Sequence, residues 1–114
     1  MNFYKMIDYH LIADIALGDV NFQKSILEQY EKDSEKIVTK GSQLMFANSW
    51  TALHLELKAY RNKVAPLLNR PSINRVNAVL ELLISPLNPS VKMQAFKELS
   101  QKIKREIGFL DNAA

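Results

Sequence analysis

Between a few chain breakers, the apolar residues recur at intervals of three and four, the period of helices buried along one side. Only three Gly and four Pro punctuate the 114 residues, and the pattern predicts five helical segments. The first is short, from about Asp8 to Leu17, with Ile12, Ile15 and Ala16 inward and Gly18 at its end, where a left-handed cap favours glycine. Asp19 suits the N-cap of the second, which runs from Val20 to about Met45 on a stripe of Phe22, Ile26, Tyr30, Ile37 and Leu44. Within it Gly41, about 1 kcal/mol less favourable than alanine in a helix, marks a fray or bend.

Asn48 and Ser49 offer caps to the third segment, where Trp50, Leu53, Leu57, Tyr60, Val64 and Leu67 form the clearest stripe in the chain. Pro66 removes a backbone donor and predicts a kink or early end. The fourth helix, after Pro71, buries Ile73, Val76, Leu80 and Leu83. Asn88 and Pro89 read as N-cap and first-turn proline of the fifth, with Phe96, Leu99, Ile103 and Ile107 inward. No strand-like alternation or repeat competes. Short links between amphipathic helices favour antiparallel neighbours, so the expected fold is all-α: one domain over residues 1–114, an up-down four-helix bundle with the short N-terminal helix as a cap.

A hydrophobic content of 47% is ordinary for a globular chain and argues against disorder. Cys is absent, which removes disulfides, thiolate metal sites and cysteine nucleophiles; nothing marks an oxidising compartment, and the cytoplasm is the expected location. Asp8, His10 and Asp14 interrupt the N-terminal stretch, and no later run reaches the ~18 apolar residues of a membrane span. Net charge is +3, unevenly placed: residues 1–57 carry five Lys/Arg against eight Asp/Glu, and 58–114 carry ten against four, so −3 and +6. That asymmetry is either scattered solvated charge or a basic face for an acidic partner. No Gly-rich phosphate loop, nucleophile elbow or Ser-His-Asp ordering is present, and two histidines without a carboxylate cluster make no case for a metal. Enzymatic activity, cofactors and metals are therefore not expected. His10 reads as a local packing or capping residue.

Several short motifs together resemble the histidine phosphotransfer (HPt) domain of two-component phosphorelays. Gly18, Asp19 and Phe22 are similar to that family's Gly-Asp-x-x-Phe turn, Tyr30 stands where an aromatic is usual, and Ala47 with Trp50 is similar to its Ala-x-x-Trp helix start. The spacing from Asp19 to Trp50 fits without a gap, and the resemblance covers about residues 7–107. Counting on in this register, the phospho-accepting histidine falls on Lys58, the family's following lysine on Arg61 and its small residue on Asn62. An ammonium has no free lone pair near neutral pH, so Lys58 does not take a phosphoryl group as imidazole does.

A helix advances about 100° per residue, which turns Thr51, Leu55, Lys58 and Asn62 outward and leaves His54 and Arg61 flanking the apolar stripe. His54 has three readings: a displaced phosphate acceptor steadied by Lys58, a half-buried structural histidine, or a contact residue that transfers nothing. Leu55, apolar beside Lys58, is either a lone exposed leucine or an interface anchor. The leading expectation is a degenerate phosphotransfer-like module that docks a response-regulator receiver domain, or a histidine kinase, through Leu55, Lys58, Arg61, Asn62 and His54, with Lys63 extending the basic strip. The alternative keeps phosphotransfer through His54. A third, a nucleic-acid-binding helical module using Lys58, Arg61, Lys63, Arg70, Arg75, Lys102, Lys104 and Arg105, is disfavoured because no recognition-helix motif appears and the N-terminal half is acidic.

Overall fold

Polar caps start most of the helices. Asp8 accepts from the Leu11 N–H at 3.1 Å to open α1 (Tyr9–Ala16), and Asp19 accepts from the Phe22 N–H at 3.0 Å to open α2 (Val20–Phe46). The structure, a computed structural model, describes residues 6–113, with side chains through Gly108. Helix α3 (Trp50–Val64) ends in a single tight turn at Ala65–Leu67, where Pro66 cannot continue the α-helical hydrogen bonding. Asn69 caps α4 (Arg70–Ile84) through the Ser72 N–H at 3.0 Å, so this helix starts just ahead of Pro71. The Asn88 side chain accepts from the Ser90 N–H at 2.7 Å at the start of α5 (Pro89–Ala113).

Among the described residues the chain is all-helical, five helices without a strand; one isolated antiparallel bridge joins Ile7 to Leu68. Helix α2 packs on α3 and α5, α4 packs on α3 and α5, and α1 lies against α2. Their shared core holds Tyr30, Ile37, Leu53, Leu57, Val64, Val76, Leu83, Phe96, Leu99 and Ile103, each at most 4% exposed. None of the described helices is long and apolar enough to cross a membrane.

Several inward assignments change. Ile15 and Phe22 are 41% and 50% exposed, and the first fully buried side chain of α2 is Tyr30. With 27 residues against 15 in α3, and with Ser34 set against Tyr60 near the end of α3, the opening turns of α2 extend past α3. Trp50 is half-buried, with the Lys92 ammonium 6.0 Å from its ring centroid. Leu68, past the proline, takes the buried position expected of Leu67. The left-handed turn after α1 begins at Leu17 (φ 52°) and continues through Gly18 (φ 81°). Gly41 does not fray α2, which continues through it to Phe46; an added Cβ there would collide with the Phe96 ring, so glycine serves the close approach of α2 and α5.

A polar cluster sits inside this packing. Glu106 of α5, 1% exposed, accepts from the backbone N–H groups of Met6 and Ile7 and from the Tyr30 hydroxyl of α2. Nearby, Ser34 of α2 and Tyr60 of α3 share a hydrogen bond of 2.8 Å between buried hydroxyls. The segment ahead of α1 is held at its other edge too: the Asp8 N–H donates to the Leu67 carbonyl at 2.7 Å, and the Asn69 N–H to the Met6 carbonyl at 2.8 Å.

Candidate functional site

Leu53, Leu57, Tyr60 and Val64 commit one side of α3 to the core, and that fixes what the other side shows. Thr51, Leu55, Lys58 and Asn62 are exposed, Leu55 by 61%, and together they run along the outward face of the helix. Among the described residues Lys58 makes no ion pair. An exposed apolar side chain beside an unpaired ammonium is a surface without an internal structural use.

The two flanking residues are tied down. Arg61 directs Nη1 to Asn77 Oδ1 of α4 at 2.9 Å, while its Nε and Nη2 meet Asn62 Oδ1 at 3.2 and 2.8 Å. Its guanidinium therefore lies along the α3/α4 seam, with much of its donor fork already engaged rather than offered whole to a partner. His54 is half-buried, and its Nδ1 lies 3.1 Å from the Leu80 carbonyl oxygen of α4. A carbonyl only accepts, so Nδ1 carries the proton and donates; in the neutral ring the lone pair is then on Nε2.

Lys63 departs from the strip. It lines a cleft of about 40 Å³ between α2 and α3 with Asp33, Lys36 and Glu56. At about 100° per residue it is turned roughly 140° from Lys58, toward α2, whereas Arg61 turns toward α4. Beside that cleft, Glu56 pairs with Lys40 of α2 at 3.4 Å, an exposed pair of small energetic weight. The outward surface thus narrows to Leu55, Lys58 and Asn62, with His54 and Arg61 as its α4-side border.

Sequence reasoning missed the residues that hold this border. Asn77 and the Leu80 carbonyl act across a helix pair, and the only local signal was an asparagine next to the inward Val76. Among the described residues no group of three or more His, Cys, Asp or Glu side chains could hold a metal ion. No protein-family model, curated protein or solved structure matches this chain.

Proposed function

We propose that this chain is a phosphotransfer-like docking module of two-component signalling: α2 to α5 form an up-down four-helix bundle capped by α1, and the module binds a receiver domain or histidine kinase without relaying phosphate. The observation that carries the reading is the exposed, unpaired Lys58 beside the exposed Leu55, at the position where the resemblance requires a phospho-accepting histidine. The circuit of neighbours α2–α3–α4–α5 supports the bundle. An ammonium there complements the acidic pocket of a receiver domain and has no lone pair with which to attack an acyl phosphate.

A second reading, phosphotransfer through His54, draws on the Nδ1 donation to Leu80, which leaves Nε2 as the nucleophilic nitrogen. Its half-buried place on the α4 flank weighs against it. Incubating the chain with a labelled phospho-receiver separates the two. The docking reading expects a salt-sensitive complex, weakened by Lys58→Glu, with no acid-labile phosphate on the chain. Phosphate on His54, abolished by His54→Gln, would establish the second reading, and binding indifferent to Lys58→Glu would overturn the first.

A further inference from the structure

Helices α2 and α5 come close where Gly41 admits the Phe96 ring, and beside this contact an open-sided groove of about 330 Å³ lies along their seam. Its volume is at the lower end of the roughly 300–1,000 Å³ typical of small-ligand sites. The floor contains Met45, 2% exposed, and Ser100, 6% exposed, whose hydroxyl has no hydrogen-bond partner among the described residues. Buried hydroxyls are as a rule satisfied; this one is enclosed just beneath the groove without a partner, and a turn about the Ser100 Cα–Cβ bond would bring it to a polar group bound there.

The rim adds charge and an aromatic face. Lys97 and Lys104 of α5 line the groove with Ser42 of α2, and neither lysine has an acidic partner among the described residues. Phe46 is 67% exposed, and the Lys97 ammonium stands 5.9 Å from its ring centroid. Such an arrangement leaves the ring's other contacts open while holding a cation beside it. The groove shares no residue with the α3 strip, so it stands apart from the docking reading.

We infer that the α2/α5 groove binds a small organic anion with an aromatic body, its anionic group held between Lys97 and Lys104 and hydrogen-bonded by Ser100, its ring packed on Met45 and Phe46. Two ammonium groups select the anion, the hydroxyl fixes its orientation, and the apolar surface distinguishes it from an inorganic ion. No bond is made or broken.

The test is a titration of the full chain with phenyl phosphate, followed by amide chemical shifts, with benzyl alcohol and inorganic phosphate as separate arms. Phenyl phosphate is expected to give saturable shifts concentrated at Ser42 to Phe46 and Lys97 to Lys104, and to bind at least tenfold more tightly than either control. Ser100→Ala removes one hydrogen bond to the ligand and should weaken binding roughly fivefold. That variant folds at least as well as the parent, since it removes an unpartnered buried hydroxyl, so its loss of binding is not a loss of fold. Lys97→Gln with Lys104→Gln should remove most of the affinity. Shifts that do not saturate or lie elsewhere, controls that bind as tightly as phenyl phosphate, or unchanged binding by Ser100→Ala would each overturn the inference.

Discussion

The outer strip of α3 and the polar cluster around Glu106 are two groups of hydrogen-bonding side chains on one helical scaffold, held under opposite conditions. Lys58 stands in water, where an unpaired group keeps its solvation and substitution is tolerated. Glu106 is enclosed, and the Met6 and Ile7 N–H groups and the Tyr30 hydroxyl depend on it because no water replaces it. The cluster joins the segment ahead of α1 to α5 and α2, and so closes the fold; the strip holds nothing together and is free to meet a partner. Polar residues on the surface are available for function, whereas the same chemistry inside is committed to architecture.

The largest expected effect breaks the inner group. Glu106→Ala leaves buried donors unpaired and is expected to destabilise the protein by roughly 3–5 kcal/mol in urea unfolding. A change below about 1 kcal/mol would mean the cluster is not closed to water. Alkali probes the same place. Burial pushes the Tyr60 hydroxyl from 10.0 up to about 12, against the lowering influence of its hydrogen bonds with Ser34 and Tyr30. Burial, followed by the Tyr60 and Glu106 charges, raises Tyr30 in the same direction. In the unfolded chain both ionise near pH 10, so their stabilising contribution is complete below pH 10 and is lost as pH rises from there through the folded values. The decline approaches about 1.4 kcal/mol per pH unit for each tyrosine, and Tyr60→Phe should make it shallower.

Gly41→Ala sharpens the contrast between inner and outer positions. On an exposed helix the change would stabilise by up to about 1 kcal/mol; here the new methyl meets the Phe96 ring, whose Cε atoms stand 3.2 Å from it, and overpacking should produce a net loss of about 1–3 kcal/mol. A gain in melting temperature would show that α2 and α5 separate easily. The smallest effect belongs to the strip: Lys58→Glu should change unfolding free energy by less than about 0.5 kcal/mol, while weakening the docking proposed above. A large loss of stability there would place Lys58 on the structural side of the comparison.

How much of this was legible in the sequence depends on the range of the interaction. The helices, the stop at Pro66 and the cap at Asp19 rest on contacts within a few residues, which the three-four periodicity and the local residue types encode directly. The outward rotation of Leu55, Lys58 and Asn62 follows from the same periodicity once Leu53, Leu57 and Tyr60 are inward. Tertiary packing decided the rest. Phe22 fits the apolar stripe of α2 and is half in solvent, because periodicity says which way a side chain points and not whether another helix reaches it. Glu106 reads as an ordinary charge on a helix of mixed composition, and its burial depends on a backbone segment 100 residues away in sequence. Arg61 and His54 were placed on the flank of α3 from sequence, but only the neighbouring α4 supplied Asn77 and the Leu80 carbonyl that hold them. Local hydrogen bonds and helical period are properties of short stretches of chain; burial, and every polar contact that depends on it, belongs to elements brought together from distant parts of the sequence.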